Sequence, residues 1–246
     1  MNYLQAENLK HKRTFAKKLL LLAPIITALM NIFAPIWFQL NSYNWWYILL
    51  YPGFLTLLCA LVEQRDNGKL KYYTIYTLPV SLSKVWRAKI EVIEIYVLIG
   101  NFVFLILNLL GGFAIKIVHE LPLSIGVLQA AAGTFCIFIV SLWEVPFCLW
   151  LSKKIGIFLT VVLNVGIGSI LGIFMATSAF WLFCPYSWVP HLMISVLGIM
   201  PNGEPVTIQG TPASWLMSCI TVLLSFTLFV FLSFLTAKQF EKQEVK

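Results

Sequence analysis

The sequence predicts an all-α polytopic membrane protein with six transmembrane helices. Its composition is the first reason. Of 246 residues, 60% are apolar and 11% charged, against about 45–50% and about 25% in soluble domains. A soluble globule of this length has too little interior to hide so much apolar surface, and the mean hydropathy is +0.87. The second reason is patterning. The apolar residues fall in charge-poor runs of about 20, the helix length that crosses a hydrocarbon core about 30 Å thick. The third is the distribution of lysine and arginine between those runs, set out below. Five cysteines make no disulfide framework.

The runs, in order, are 19–38, 45–62, 90–113, 121–143, 155–180 and 214–236. In the segment 1–18 ahead of them, Tyr3, Leu4 and Leu9 alternate with Gln5, Glu7, Asn8 and Lys10. That pattern predicts a helix at the membrane surface whose lysines reach toward anionic headgroups. The first run is read as a retained helix rather than a signal peptide. It is longer than a typical signal core, and Phe33-Ala34-Pro35-Ile36-Trp37 offers no small-residue cleavage site. The second run is near the lower length limit. The fourth stays apolar to Leu151, past Glu144 and Pro146.

Lysine and arginine orient these runs. The chain has 17 of them against 10 acidic residues, a net charge of +7. Five precede the first run: Lys10, Lys12, Arg13, Lys17 and Lys18. Six lie in the second connection: Arg65, Lys69, Lys71, Lys84, Arg87 and Lys89. Lys153 and Lys154 lie in the fourth, and Lys238, Lys242 and Lys246 in the tail. The first, third and fifth connections contain only Lys116. Positive charge stays on the cytoplasmic side, so both termini are expected there, and the basic balance needs no nucleic acid to explain it. Tryptophans and tyrosines sit near the expected headgroup levels. Trp37, Trp45, Trp46 and Tyr47 flank the first outer loop, and Trp181, Tyr186, Trp188 and Trp215 the last. Trp86, Trp143 and Trp150 fall at inner boundaries.

Two connections carry more than a turn. In 63–89, Glu63 to Gly68 reads as a solvated turn, and 69–78 as a short helix with Leu70, Tyr73, Tyr76 and Thr77 on one face. Leu78-Pro79 ends it, because a residue before proline disfavours the α region, and Ser81 or Ser83 caps the following helix. A short helix across a membrane face is expected to dock on something. The loop 184–213 contains five prolines and an apolar stretch, 189–200, too short to span. That stretch is a re-entrant or interfacial segment, or a half-buried surface turn.

Within the runs, Asn164, Gly168, Gly172 and Ala176 form an i+4 stripe that suits close helix packing. Asn101 and Asn108 share a face of the third run, and Asn31 lies in the first; all three are expected to join helices or, alternatively, to contact a substrate. Glu91 and Glu94 are expected at the favourable N-terminal end of the third helix. Glu144, near the inner boundary, is expected to pair with a lysine or to meet a cytoplasmic partner. The scarcity of deep charges argues against an ion-coupled carrier.

Catalytic motifs are missing. Gly68-Lys69 has neither the upstream glycine nor the following hydroxyl of a P-loop. His11, His119 and His191 have no zinc spacing. Cys59, Cys136, Cys148 and Cys219 lie in apolar runs, with Cys184 near the outer face, where a pair with Cys219 is conceivable. The chain is expected to be no enzyme by itself and to bind no metal or cofactor.

Six spans, both ends inside, a short helix between spans two and three and an apolar break in the last outer loop resemble ABC-2 type transporter permeases. The stretch Thr77-Leu78-Pro79-Val80-Ser81-Leu82-Ser83-Lys84-Val85-Trp86-Arg87-Ala88-Lys89 is similar to the one after that family's coupling helix. Three further segments are similar to the lantibiotic-immunity permeases of the mutacin/epidermin E type. They are Tyr3-Leu4-Gln5-Ala6-Glu7-Asn8-Leu9-Lys10, Asn41-Ser42-Tyr43-Asn44-Trp45-Trp46-Tyr47 and Gly198-Ile199-Met200-Pro201-Asn202-Gly203. The resemblance covers essentially the whole chain.

It implies a type V exporter-like fold in a bacterial plasma membrane. It also implies a complex of two permease halves, as a heterodimer or a homodimer, with two copies of a separate ATPase that binds ATP and magnesium. The cargo would be a lantibiotic peptide removed from the producer's own membrane lipid. The segment 69–78 would be the coupling helix, with Lys69, Leu70, Tyr72, Tyr73, Tyr76 and Leu78 touching the ATPase. Glu144, Lys153 and Lys154 would be secondary cytoplasmic contacts. The peptide would meet the outer aromatic surfaces and the loop 184–213. The same layout would also serve another exported drug, bacteriocin or ion, or a peptide-binding scaffold or sensor that moves nothing.

Overall fold

In a computed structural model the described residues are 2–68, 72–206 and 215–242. They are mostly helical, with one isolated antiparallel bridge between Ile199 and Pro205. The elements are α1 (Tyr3–Lys10), α2 (Phe15–Asn31), α3 (Phe38–Trp45), α4 (Tyr51–Asn67), α5 (Tyr73–Tyr76) and α6 (Leu82–His119). They continue with α7 (Val127–Val140), α8 (Glu144–Val161), α9 (Gly168–Ala176), α10 (Trp188–Val196) and α11 (Trp215–Glu241). A tight turn at Pro35–Trp37 and a wide turn at Trp46–Leu50 join α3 and α4 into one run, and a second wide turn at Val162–Ile167 joins α8 to α9. Such wide turns interrupt the helix period without ending the helix.

Among the described residues four helical runs are long and apolar enough to cross a membrane: Pro35–Asn67, Leu82–His119, Glu144–Ala176 and Leu216–Glu241. The pair α1 and α2, bent by 75°, makes a fifth if counted as one. Six were expected. The first expected run stops at Asn31, which leaves α2 with 17 residues. The second begins at Pro35 rather than residue 45, because the anticipated outer loop is helical. The fourth is reduced to the 14 residues of α7, since 120–126 is not helical.

The run Glu144–Ala176 is not straight. Asn164 Nδ2 donates to Glu144 Oε2 at 3.0 Å across 20 residues, whereas a straight helix would separate them by about 30 Å. The chain therefore doubles back between them. The reversal falls at Gly156, whose φ of +80° lies where a side chain is strained. Beyond it Thr160 Oγ1 bonds to the Gly156 carbonyl at 2.7 Å, closing the first turn of the returning segment.

Contacts fix the directions of the long elements. Trp46 Nε1 donates to Asn101 Oδ1 at 3.1 Å and Lys89 reaches Asp66 at 2.7 Å, so α3–α4 and α6 are antiparallel. Tyr43 donates to the Ala130 carbonyl at 2.8 Å and Thr56 meets Cys148 at 3.8 Å, so α7 and the first part of α8 run parallel to α3–α4. Ser225 donates to the Val140 carbonyl at 2.8 Å and Trp86 to Thr236 Oγ1 at 3.0 Å. These two bonds seat α11 beside α7 and against α6.

The exterior is far more apolar than that of a water-soluble protein, around an apolar core that also holds buried polar groups. Phe33 is 90% exposed and Leu128 84%, while Glu7, Glu63, Lys89 and Asn164 are buried. An apolar exterior of this extent requires a cover. Several aromatic residues expected at headgroup level are core instead: Trp46, Trp86, Trp143 and Trp188 are all buried. Of the three amides, Asn101 and Asn108 join helices, the latter donating to the Gln39 carbonyl at 3.4 Å. Asn31 donates to Thr27 of its own helix. Glu91 and Glu94 are not at a helix start, because α6 begins at Leu82; Ser81 precedes it without a side-chain capping bond.

Candidate functional site

A buried ionic cluster occupies the lysine-rich end of the bundle. The end of α4 presents Glu63 and Asp66, three residues apart and so on one face. Lys89 of α6, with no exposed surface, points between them, 2.7 Å from Asp66 Oδ2 and 3.7 Å from Glu63 Oε2. The short helix α1 lies on the same cluster. Its Lys10 sits 3.0 Å from Asp66 and 2.7 Å from Glu7, and His11 is 3.6 Å from Glu7. Tyr96 of α6 donates to Asn8 at 2.6 Å and pins α1. Lys10 and Glu7 therefore turn inward, not toward headgroups as the sequence suggested.

The segment after α4 folds back over this cluster. Tyr72 adopts a left-handed conformation (φ +66°), and its N–H donates to the Asp66 carbonyl at 2.9 Å. That bend drives its side chain inward, where the hydroxyl donates to Glu63. Its ring lies 5.3 Å from Phe240 of α11 and 4.4 Å from the Lys153 ammonium. Lys153 also caps the Phe240 ring at 3.9 Å, and Phe240 stacks on Trp86 at 4.8 Å. Burial, and then the negative charge of Glu63, push the Tyr72 phenol well above the ordinary tyrosine range. Tyr72 is thus a neutral donor that fastens the surface segment to α4, α6, α8 and α11 together.

These positions correct several sequence expectations. Of the helix expected over 69–78, the described residues form a single turn, Tyr73–Tyr76, preceded by the left-handed Tyr72. Lys69 and Leu70 lie outside the described residues. Tyr73 and Leu78 are 48% and 57% exposed, Tyr76 is half-buried, and Tyr72 is buried and offers no surface to a partner. Glu63 and Asp66 are not a solvated turn, and Lys89 does more than orient a span. The sequence held one signal for them: two acids at i and i+3 directly after an apolar run, with a lysine directly before the next. Lys154 is exposed, whereas Lys153 is partly enclosed by aromatic rings.

Glu144 is also corrected. It is 6% exposed, and among the described residues it pairs with no lysine. Its carboxylate accepts from Asn164, whose amide also donates to Thr56 Oγ1 at 2.9 Å and whose carbonyl accepts from Tyr186 at 2.9 Å. Tyr186 belongs to the segment before α10, which packs on the expected glycine stripe. A Cβ on Gly172 would lie 2.7 Å from the Tyr186 carbonyl, and one on Gly168 2.5 Å from its ring. At Ala176 the carbonyl accepts from His191 Nδ1 at 2.7 Å. The stripe thus receives a segment of its own chain. That segment's far end is held by Asn44, which donates to the Met200 carbonyl at 3.3 Å.

Among the described residues no group of acids, histidines and cysteines is placed to hold a metal, and Cys184 and Cys219 are free thiols. No protein-family model matches the chain, and neither a curated protein nor a solved structure is significantly similar to it.

Proposed function

We propose that the chain is the membrane-embedded permease subunit of an ATP-driven exporter that expels a lantibiotic-type antimicrobial peptide from the membrane and so protects its producer. The reading takes an ABC-2-like fold with six crossings: 15–31, 35–67, 82–119, 127–155, 157–176 and 216–241. The reversal at Gly156 supports this division, since it parts the run Glu144–Ala176 between a descending α7–α8 and a returning α8–α9. The lysine bias then puts both termini and the ionic cluster on the cytoplasmic side. Power comes from two copies of a partner ATPase carrying ATP and magnesium, and a second permease completes the pathway.

One observation carries the proposal. Exposed Tyr73 and Leu78 flank a segment whose buried neighbour Tyr72 is bonded to Glu63 and packed on Lys153 and Phe240. A push on that short exposed segment is delivered to four long helices at once. Packed cores answer such a push by shifting as units rather than by deforming locally.

The test is a protection assay. A sensitive host expresses the chain with its neighbouring ATPase and permease genes, and growth inhibition by the lantibiotic is measured. An ATPase that binds but cannot hydrolyse ATP serves as the comparison. The proposal requires protection that disappears with hydrolysis; protection that persists would point to a binding scaffold and overturn it.

A further inference from the structure

The ionic cluster leaves Glu144 unexplained. Its side chain is buried at the first residue of α8 and receives one hydrogen bond among the described residues, from Asn164 at 3.0 Å. No lysine, arginine or histidine among them pairs with it. A buried carboxylate without a counter-charge is costly, and in a membrane such a group marks a functional position. Glu144 also borders a cavity of about 20 Å³, room for about one water-sized group. Tyr47, Tyr51, Asn164, Ser169 and Tyr186 line it with Glu144, and so do Pro185, Val189 and Pro190 from the segment that the glycine stripe of α9 receives.

We propose that Glu144, Asn164, Tyr51 and Tyr186 form a binding site for a primary ammonium group. The guest is water-sized and carries three donors and one positive charge. It meets the carboxylate, the lone pairs of the tyrosine and amide oxygens, and the tyrosine π faces, which attract an ammonium once it is desolvated. Assigning that ammonium to a lysine or N-terminal amine of the exported peptide rests on the exporter reading; the site itself does not.

The experiment uses the purified full chain in detergent, with thermal unfolding followed by tryptophan fluorescence. The probe is n-butylammonium chloride. Sodium chloride at matched ionic strength and n-butyltrimethylammonium chloride, which lacks N–H donors and whose head group exceeds the cavity, are the controls. Butylammonium should raise the unfolding midpoint saturably, as any ligand of the folded state does, and the controls should not. Glu144→Gln, which keeps the volume and the bond to Asn164, should weaken the midpoint's response about a hundredfold or more. Tyr186→Phe, which keeps the ring on Gly168, should weaken it about three- to tenfold.

An equal response to sodium, no response in the wild-type chain, or an unchanged response in Glu144→Gln would overturn the site. Full protection of the host by Glu144→Gln, in a complex whose protection needs ATP hydrolysis, would overturn its assignment to the peptide. Saturable butylammonium binding in a complex that gives no protection would keep the site and sink the exporter reading.

Discussion

Replacing Lys89 with Met tests whether the ionic cluster holds the lysine-rich end together. The stem keeps its packing and only the charge is lost. The ammonium lies 2.7 Å from Asp66 and 3.7 Å from Glu63. At an effective dielectric of about 20, those separations correspond to attractions of about 6 and about 4.5 kcal/mol, before the cost of burying the charges is deducted. Without Lys89, Asp66 keeps, among the described residues, only Lys10 at 3.0 Å, and Glu63 keeps the Tyr72 hydroxyl. Breaking a buried pair from one side costs about 3–5 kcal/mol, because the remaining charge stays buried. We expect that loss for Lys89→Met in a reversible denaturant titration of the purified chain in micelles. Adding Asp66→Asn removes one stranded charge, so the double variant should be about 1–3 kcal/mol more stable than the sum of the single effects. A Lys89→Met variant within about 1 kcal/mol of wild type, or a strictly additive cycle, would refute the argument.

Tyr73→Asp places a charge on an exposed ring 48% accessible to solvent; it should leave the unfolding midpoint unchanged and abolish ATPase-dependent protection, measured on the same preparations. Gly172→Ala should cost about 1–3 kcal/mol by overpacking, because its Cβ would meet the Tyr186 backbone, while Gly166→Ala, with open space around it, should not; paired denaturant titrations compare them. For Glu7, burial alone would raise the carboxyl, but His11, Lys89 and Lys10 outweigh it and hold it below its reference value of 4.5. A depressed folded-state value gives stability that is complete above 4.5 and lost as pH falls through the lower folded value, so the stability difference between wild type and Glu7→Gln should shrink on acidification below 4.5. A difference that is flat with pH would remove Glu7 from the cluster's charge balance.

What the sequence by itself determined is what depends on local chain properties. Apolar runs with few charges dictate long helices, and clustered lysines dictate which ends of those helices lie together. The glycines at 168 and 172 announce a close approach. The structure decided what approaches, and it is Tyr186 of the same chain. The runs 121–143 and 155–180 already put a reversal near Lys153 and Lys154; the positive φ of Gly156, with the Asn164–Glu144 bond across 20 residues, decided where it falls. Glu63, Asp66 and Lys89 read as loop charges because composition reports polarity and not partners. Their burial depends on residues from α1, α4 and α6 arriving at one point, which is a long-range fact. Tyr72 was singled out for an outward contact by the family resemblance, and Glu144 for a lysine or a cytoplasmic partner by its place near an expected inner boundary. They face inward because a left-handed bend turns one side chain under and a neighbouring helix encloses the other, and neither cause is written in the local sequence.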